Sequence, residues 1–363
     1  MPFNFYLLRG LRLLLFPFSL LMALVVMLRN KLYDMGWLSS VSFNLPMICV
    51  GNLSVGGTGK SPMTEMLVEW LLPHVQVATL SRGYKRKTKG YLLADDRSTA
   101  LEIGDEPMQF HLKYPQLAVA VGEERIVAVP QLLQDRPQTE VIILDDAFQH
   151  RAIVAGLNIV LTEYSNPYWY DWFLPTGDLR DQRASARRAH IIVVTKCPAG
   201  LTEAERQKML RRIQPTHQQQ VYFTTLQYGQ PYHLRSRQPV QLQPQQEVLL
   251  VCGIANPAPL KQYIEERTAA YYQLSYGDHH VFSIDDLKQI AQRFEALDAH
   301  DKIILTTEKD AVRLVKFGKE LDRLPLYVQP VKHEVLFGQE AAFKQAVLQF
   351  VKNFHDAQKA KDQ

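Results

Sequence analysis

Met47 to Trp70, read as MICVGNLSVGGTGKSPMTEMLVEW, is the stretch that decides the fold of this 363-residue chain. An apolar run is followed by a glycine-rich turn, Gly56 to Ser61, and then by apolar residues at helical spacing. This order predicts a strand, a loop and a helix. Glycines let successive backbone N–H groups turn toward one anion at the positive end of the new helix. The stretch therefore predicts a site for a nucleoside triphosphate.

The turn comes close to the general phosphate-loop (P-loop) pattern G-x-x-x-x-G-K-[ST], with Ser54 standing where that pattern has glycine. In such a loop Lys60 reaches the β- and γ-phosphates and the Ser61 hydroxyl holds Mg²⁺. A glycine-rich turn before an ordinary helix is the alternative, and the order of strand, loop and helix argues against it. The candidate nucleotide-binding residues are Ser54, Val55, Gly56, Gly57, Thr58, Gly59, Lys60 and Ser61.

Composition limits the classes of protein that fit. A chain of this length with 47% hydrophobic residues predicts two domains, each with its own core. A net charge of only +4 does not indicate a polyanion binder, so no nucleic-acid partner is expected. The three cysteines, Cys49, Cys197 and Cys252, lack metal-binding spacing and cannot all pair, which favours a reducing compartment.

The N-terminus carries an uncharged apolar stretch, Leu13 to Leu28, which contains Pro17. A membrane-spanning helix needs about 20 apolar residues, so we predict a helix that lies in, or partly inserts into, the membrane interface. A single span is the alternative. A signal peptide is disfavoured because no small-residue cleavage site follows the apolar stretch. A buried core helix is disfavoured because it would not need basic residues at both ends. The flanking basic residues are Arg9, Arg12, Arg29 and Lys31.

Two pairs of carboxylates follow the P-loop in sequence. Val141 to Leu144 is an apolar strand that ends in Asp145 and Asp146, where nucleoside triphosphatases keep a Mg²⁺ carboxylate. Ligands gather at the strand ends of open α/β sheets, which strengthens this interpretation. Asp105 and Glu106, in a Gly-Asp-Glu-Pro turn, suit the activation of a hydroxyl and the binding of a metal. A helix cap with acidic first-turn residues is the alternative for that pair.

Two loops have the composition of a binding surface. Residues 81–90 contain five basic residues and two glycines, which suits a lid over phosphates or a membrane contact, with a solvated charge run as the alternative. Residues 167–175 are rich in aromatic side chains and precede Arg180. These aromatics suit an amphiphilic ligand with the guanidinium on a phosphate or sugar, or else a core beside a surface ion pair. Thr195-Lys196-Cys197-Pro198 is similar to the guanine-reading pattern Asn/Thr-Lys-x-Asp, but Pro198 stands where that pattern has aspartate. This difference argues against a GTPase.

The second half of the chain alternates strands and helices after a glutamine-rich connection, which predicts a second α/β unit with a parallel sheet covered on both faces. The sequence lacks a second P-loop, so we expect this unit to serve substrate binding or closure. Asp278 and His279 follow a strand, and a catalytic imidazole or a structural histidine is compatible with that position. The predicted segments are a membrane-associated helix (1–32), a P-loop domain (33–215), an interdomain connection (216–246) and a C-terminal α/β domain (247–363).

Taken together, these motifs resemble the tetraacyldisaccharide 4′-kinases, the lipid A 4′-kinases of Gram-negative bacteria, over nearly the whole chain. Serine at position 54 fits that family, and departures from its pattern are few: Ser61 for threonine, Ala147 for glycine and Asp181 for glutamate. Besides the basic and apolar N-terminus, the stretches that carry the resemblance are 51–62, Ser81-Arg82-Gly83-Tyr84, Gly104-Asp105-Glu106-Pro107, Asp145-Asp146-Ala147-Phe148-Gln149-His150, Leu179-Arg180-Asp181, Asp278-His279 and Thr307-Glu308-Lys309-Asp310.

The resemblance implies an α/β fold of two α/β/α domains and ATP-dependent phosphorylation of the 4′-hydroxyl of a tetraacylated disaccharide 1-phosphate. It implies work at the cytoplasmic face of the inner membrane, with the chain peripheral or monotopic. By motif, Asp105 would be the base, His279 its partner and Lys60 the phosphate ligand. The implied metal ligands are Ser61, Glu106, Asp145 and Asp146, and the implied substrate contacts are Gln149, Arg180 and Asp181. A membrane-associated ATPase switch without a lipid substrate is the alternative.

Overall fold

The structure is a computed structural model that describes residues 12–254 and 256–361. Its first part contains α1 (Phe16–Asp34), β1 (Met47–Asn52), α2 (Lys60–Leu71), β2 (Val77–Ser81), β3 (Leu92–Leu93), α3 (Ala100–Ile103), α4 (Asp105–Lys113), β4 (Ala118–Val121), α5 (Arg125–Asp135), β5 (Val141–Asp145), β6 (Leu157–Glu163), β7 (Ile191–Thr195), α6 (Glu203–Ile213) and β8 (Gln220–Tyr228). The second part contains β9 (Tyr232–His233), β10 (Glu247–Cys252), α7 (Ala258–Glu265), β11 (Ala270–Ser275), α8 (Ile284–Glu295), β12 (Lys302–Thr307), α9 (Glu308–Leu314), β13 (Leu326–Gln329), β14 (Val331–Val335) and α10 (Glu340–Lys359). Short 3₁₀ segments lie at Tyr168–Tyr170, Arg183–Arg188 and Val315–Arg323.

Nine strands form the first sheet, in the order β14-β8-β7-β6-β1-β5-β2-β4-β3. The strands from β8 to β4 pair in parallel, and the two edge strands, β14 and β3, run antiparallel to their neighbours. Strands β1, β5 and β7 are buried along their whole length, which explains their continuous apolar sequence. The predicted parallel sheet is confirmed.

The centre of this sheet places two predicted motifs side by side. Strand β1 lies between β5 and β6, and Val50 is in register with Asp145. The chain after β1 continues toward β2 on one side, and the chain after β5 continues to β6 on the other. This change of direction opens a crevice at the carboxyl ends of the strands, which is where open α/β sheets bind ligands.

Helices cover both faces of the first sheet. On one face α2 and α10 pack together, with the Trp70 ring edge-on to Phe343 at 5.1 Å between ring centroids. Phe343 also stacks on Tyr222 of β8, so the last helix of the chain belongs to this core. The opposite face is covered by α5 and by side chains such as Phe148 and Leu132.

The second sheet has five strands in the order β11-β10-β12-β13-β9. Its first four strands pair in parallel, and the two-residue β9 closes one edge in the antiparallel direction. Apolar clusters lie on both faces, one around Phe282 and Leu314 and the other around Leu260 and Ile264. The predicted second α/β unit is therefore present.

The structure differs from the predicted segment boundaries at two places. Residues 216–246 were expected to connect the domains, yet Gln220–Tyr228 is strand β8 of the first sheet. Residues 247–363 were expected to form one C-terminal domain, yet β14 pairs with β8 and α10 packs on α2 in the first domain. The physical reason is that an apolar strand or helix can be recognised locally, whereas the sheet that it joins depends on contacts distant in sequence.

Helix α1 is largely apolar and mostly exposed. Its 19 residues have a mean hydropathy of 1.3 over the best window, of which 17% is buried against the protein. By length and composition it is the single candidate membrane span among the residues that the structure describes. Arg9, one of the predicted flanking basic residues, lies outside the described residues.

Candidate active site

The P-loop has the backbone form that its sequence predicts. Helix α2 begins at Lys60, and Gly59 caps it in the left-handed region with φ of 87°. Gly56 also has a positive φ of 107°, and nothing lies within 4 Å of the position that a Cβ atom at Gly56 or Gly57 would occupy. The loop thus leaves open space above its glycines, at a helix N-terminus whose free N–H groups favour an anion. This arrangement fits a triphosphate.

The first residues of the predicted nucleotide set, Ser54 and Val55, are held by a neighbouring loop. Ser54 is buried and forms an antiparallel bridge with Leu179, and the Val55 N–H donates to the Asp178 carbonyl at 2.7 Å. The Thr58 hydroxyl accepts from Asn52 Nδ2 at 2.9 Å. The P-loop is therefore fixed at its start by the same loop that carries Arg180.

Lys60 points into the crevice beside the strand-end carboxylates. Its Nζ lies 3.8 Å from Asp146 Oδ1. Burial lowers the pKa of Lys60 from its usual value, and the Asp146 charge opposes that shift. Ser61, the next residue, is buried at the start of α2. A cation and a hydroxyl are thus presented at the mouth of the P-loop.

Asp145 and Asp146 have different environments. Asp145 accepts from the Thr64 hydroxyl at 3.2 Å, and burial together with the charges of Asp146 and Glu106 raises its pKa to about 6. Asp146 pairs with Arg180 as well as Lys60. Although burial would raise the pKa of Asp146, these two cations lower it. The carboxylate of Asp145 is therefore the one with unbalanced negative charge.

The predicted metal ligands are only partly gathered by the structure. No group of three or more His, Cys, Asp or Glu side chains in the described part of the chain has the geometry of a metal site. Glu106 Oε1 accepts from Lys309 Nζ at 2.7 Å, and although burial would raise the pKa of Glu106, this ion pair lowers it. The Ser61 hydroxyl and the Asp145 carboxylate still fit Mg²⁺, which takes few protein ligands and completes its shell with water and phosphate oxygens.

Asp105 and His279 meet across the two domains. Asp105 begins α4, and its Oδ2 accepts from His279 Nδ1 at 2.6 Å although 174 positions separate the two residues. Both side chains are largely buried. Arg313 Nε lies 3.5 Å from the same Oδ2 atom. Both of these side-chain contacts are made to Oδ2, and neither is made to the other carboxylate oxygen, Oδ1.

Backbone geometry supports this pair. His279 has a positive φ of 62°, which is uncommon for a residue with a side chain. Its ring also meets Tyr84 edge-on at 5.5 Å between ring centroids. Gly104, just before Asp105, has a φ of 96° and a Cβ there would approach Gly83 to 3.3 Å. The basic loop at 81–90 therefore packs directly against the turn that carries Asp105.

Helix α4 presents charged side chains to the second domain. Glu106 pairs with Lys309, and Lys113 bridges Glu65 of α2 at 2.6 Å and Glu308 of α9 at 2.8 Å. Burial and the nearby Glu308 raise the pKa of Glu65 to about 7 despite the lysine. These ion pairs hold the second domain against the same helix that carries Asp105.

The three predicted substrate contacts are not equivalent in the structure. Arg180 pairs with Asp146 and with the Asn52 side chain at the crevice. Gln149 donates to the Asn52 carbonyl at 2.7 Å, and its Oε1 atom is buried without a partner. Asp181 is 1% exposed and does not face the crevice contacts of Arg180. Its carboxylate accepts from Asn30 of α1, Ser185, Arg188 and the Gln182 N–H.

Asp181 is therefore placed as an anchor for helix α1 rather than as a ligand, which differs from its predicted role. A short acidic side chain that follows Arg180 looks like a ligand in sequence, but here its oxygens are fully engaged by the protein. Ser19 of α1 also donates to the Thr176 hydroxyl at 2.8 Å, and the Arg12 guanidinium pairs with Asp178 at 2.7 Å. The apolar helix is thus tied to the loop that carries Arg180.

Sequence reasoning missed Arg125 and His150 as members of a basic group. Arg125 is buried and its Nε atom has no hydrogen-bond partner, and His150 Nε2 is likewise unpartnered. Burial and the neighbouring Arg82 lower the pKa of Arg125, and burial and Arg125 lower that of His150. Such mutual repulsion favours an anion. The available signal was the basic Arg82 loop, but Arg125 is distant from it in sequence.

Comparisons with known proteins agree with this geometry. A family model described as tetraacyldisaccharide-1-P 4′-kinase matches residues 11–352. A tetraacyldisaccharide 4′-kinase from Bacteroides thetaiotaomicron is 42% identical over 352 residues, covering 93% of each chain. One from Flavobacterium johnsoniae is 43% identical over 343 residues, covering 94% of this chain and 98% of its own.

A solved structure is similar over almost the same length. The apo-form crystal structure of LpxK from Aquifex aeolicus, in complex with ATP, superposes with a TM-score of 0.74 at 26% identity. The match covers 94% of this chain and 99% of that one. The likeness therefore extends over both sheets and is not confined to the P-loop.

Proposed function

The chain belongs to the tetraacyldisaccharide 4′-kinase family, and from this premise we propose how its own residues divide the work of the reaction. The enzyme phosphorylates the 4′-hydroxyl of tetraacyldisaccharide 1-phosphate with ATP, a step of lipid A biosynthesis. The Asp105–His279 contact beside the P-loop is the observation that carries our assignment. With γ-labelled ATP, the label should appear on an extracted lipid, whereas an ATPase switch would release it as free phosphate.

The P-loop and Lys60 bind and neutralise the phosphates of ATP. The open backbone of Gly56 to Gly59 receives the β- and γ-phosphates at the N-terminus of α2. The Lys60 ammonium, partly buried beside Asp146, supplies positive charge where the transferred phosphoryl group develops negative charge. A cation that is already in place when the charge develops costs no reorganisation at the moment of reaction.

Mg²⁺ is the metal that these residues fit best. The Ser61 hydroxyl and the Asp145 carboxylate would hold it, with Asp146 and Glu106 contributing through water. When bound, the ion neutralises the phosphate oxygens and orients them for transfer. The raised pKa of Asp145, caused by burial and by the neighbouring carboxylates, supports this assignment because a cation would relieve the repulsion.

Asp145 is expected to be critical for metal use. Asp145→Asn keeps the hydrogen bond to Thr64 but removes the charge, so the Mg²⁺ concentration for half-maximal rate should rise at least tenfold. Chelation of divalent ions should abolish transfer in every variant. The measurement is the initial rate against free Mg²⁺ at saturating ATP. Asp135→Asn, on the exposed end of α5, is the matched control. An unchanged Mg²⁺ requirement in Asp145→Asn would exclude Asp145 as a ligand.

Asp105 acts on the acceptor. Its free Oδ1 atom accepts the proton of the 4′-hydroxyl as the oxygen attacks the γ-phosphorus, and His279 holds the carboxylate through Oδ2. A carboxylate is a weak base for an alcohol, so orientation and the shared hydrogen bond matter more than basicity. The bond between the γ-phosphorus and the bridging oxygen of ATP breaks as the sugar oxygen bonds to that phosphorus, so ADP leaves and the hydroxyl proton goes to Asp105.

The sugar headgroup is placed by the basic residues around the crevice. Arg180 and Gln149 lie beside Asn52 at the P-loop and suit the hydroxyls of the sugar next to the transferred phosphate. We assign the substrate's 1-phosphate to the group formed by Arg82, Arg125 and His150, because Arg125 and His150 have buried nitrogens without partners. An anion there would balance their charge.

Helix α1 brings the enzyme to its lipid. Its apolar side chains are exposed, and it lies beside a cavity of about 300 Å³ lined by Phe16, Leu20, Trp172, Phe173 and Leu179. This cavity supports the amphiphile-facing role that we propose for the aromatic loop, and it suits acyl chains. Because ATP is a cytoplasmic substrate, we place the chain at the cytoplasmic face of the inner membrane, peripheral or monotopic.

The exposed face of α1 can be tested without loosening its attachment to Asp181. Replacement of Leu21, Leu24 and Leu28, each more than half exposed, by glutamine should release the protein from membranes. The KM for lipid in vesicles should rise at least tenfold while the KM for ATP stays within twofold. Val127→Gln, an equally exposed site on α5, is the control. Continued sedimentation of the triple variant with membranes in high salt would mean that another surface is the anchor.

A further inference from the structure

Two consecutive carbonyls of the P-loop are held by side chains from other strands. The Thr58 carbonyl accepts from the Thr195 hydroxyl of β7 at 2.8 Å. The Gly59 carbonyl accepts from His333 Nε2 of β14 at 2.9 Å, across 274 positions of sequence. His333 therefore reaches the P-loop from the strand that returns to the first sheet after the second domain has been completed.

The bond to Gly59 fixes the direction of the next N–H group. In a trans peptide the carbonyl of one residue and the N–H of the next point in opposite directions. The Gly59 carbonyl also accepts from the Met63 N–H at 3.1 Å, and a carbonyl oxygen has two lone pairs for the two donors. Holding this carbonyl in place keeps the Lys60 N–H directed out of the helix N-terminus, toward the phosphate position.

His333 is built for this donor role. It is 3% exposed, and its Nδ1 atom accepts from the Thr224 hydroxyl at 3.0 Å, which leaves the proton on Nε2. Burial lowers its pKa to about 4, so the ring is neutral at physiological pH. A Cβ atom at residue 59 would lie 2.8 Å from His333 Nε2. Glycine is thus required there for the approach of the ring as well as for its positive φ.

We propose that His333 is a positioning residue for ATP, which holds the Gly59–Lys60 peptide so that the Lys60 N–H meets the phosphates. This inference rests on the P-loop as the nucleotide site. Strand β14 follows β13 of the second sheet after the single residue Pro330, so the second domain and the P-loop are joined through one short segment. The placement of the second domain therefore affects the nucleotide site through His333.

The test is the kinetics of His333 variants. His333→Leu removes the donor and keeps an apolar volume, and it should raise the KM for ATP about fivefold to tenfold, the net effect of one hydrogen bond between neutral groups. The kcat should change less than threefold, because a contact made equally in ground and transition states affects KM. His333→Gln keeps a donor near the Nε2 position and should restore much of the ATP affinity. Thr224→Val removes the hydroxyl that fixes the His333 tautomer, and it should raise the KM for ATP twofold to fivefold.

Val335→Ala, on the same strand and buried in the same core, is the structural control. It should lower the melting temperature without altering the KM for ATP. If His333→Leu and Thr224→Val both keep the parental KM for ATP, or if His333→Gln is as impaired as His333→Leu, the proposal is wrong. If His333→Leu does not fold, Thr224→Val and His333→Gln decide alone. Lys60→Ala tests the premise separately. If this variant keeps its activity, the P-loop is not the nucleotide site.

Discussion

Lys60→Ala should lower kcat by at least two orders of magnitude, which corresponds to about 3 kcal/mol of transition-state stabilisation. The Lys60 ammonium is partly buried 3.8 Å from Asp146 at the mouth of the P-loop, where alanine leaves no fixed cation at this position. Loss of the cation also leaves Asp146 with Arg180 as its remaining partner in the pair network. The measurement is the rate of lipid phosphorylation at saturating ATP and acceptor.

The matched control for this prediction is Lys302→Ala. Lys302 begins β12 of the second sheet, at the opposite end of the strand from the crevice, and its Nζ donates to the Leu297 carbonyl at 2.7 Å. This variant makes the same change in charge and should retain nearly full activity. Turnover of Lys60→Ala within twofold of the parent enzyme would show that Lys60 does not act on the transferred phosphate.

Asp105→Ala and His279→Ala should each lower kcat by roughly 10²- to 10⁴-fold, with much smaller effects on ATP affinity. The two side chains share one hydrogen bond of 2.6 Å, and residues that act as a unit give losses that do not add. The double variant should therefore be little worse than the poorer single variant. A double-mutant cycle in kcat, with ATP affinity measured separately, tests this.

His280→Ala is the control that separates catalysis from structure. His280 is adjacent to His279, but its ring stacks on Tyr276 at 4.7 Å between ring centroids and its Nε2 lies 3.0 Å from Asp286, within the second domain. Its removal should lower thermal stability and leave kcat nearly unchanged. If His279→Ala behaves in the same way, or if the losses in the cycle are fully additive, Asp105 and His279 are not one catalytic unit.

Local sequence patterns predicted the parts of the site that lie on single motifs. The β1–loop–α2 unit, the carboxylates after β5 and the strand preceding His279 each carry an apolar run followed by polar residues. Because β1 and β5 are adjacent parallel strands, the first two of these ends meet at one edge of the first sheet, whereas His279 reaches Asp105 from the second sheet. The periodicity of a segment reports its exposure and not its partner, which is why the return of β14 and α10 to the first sheet was not foreseen.

The contacts of Asp181 and His333 also differ from what local sequence patterns predict, because each side chain contacts residues that are distant in sequence. Asp181 and Arg180 are neighbours in sequence, yet one is enclosed by Asn30, Ser185 and Arg188 and the other faces the crevice. A buried carboxylate needs hydrogen-bond donors, and one of these donors, Asn30, comes from a helix 151 positions away. His333 lies in an ordinary alternating strand, and its contact with Gly59 becomes visible only in three dimensions.

The late return of β14 and α10 also bears on how the polypeptide matures during synthesis. The segment Val331–Lys359 emerges from the ribosome after all the strands of the second sheet, yet it supplies an edge strand and the Phe343 side chain to the core formed by the earliest strands. Until then β8 presents an unpaired edge, a hazard for association with other chains. Whereas domains usually fold in order of synthesis, here the N-terminal unit is completed after the second one. A nascent chain stopped before Val331 consequently has no finished ATP site.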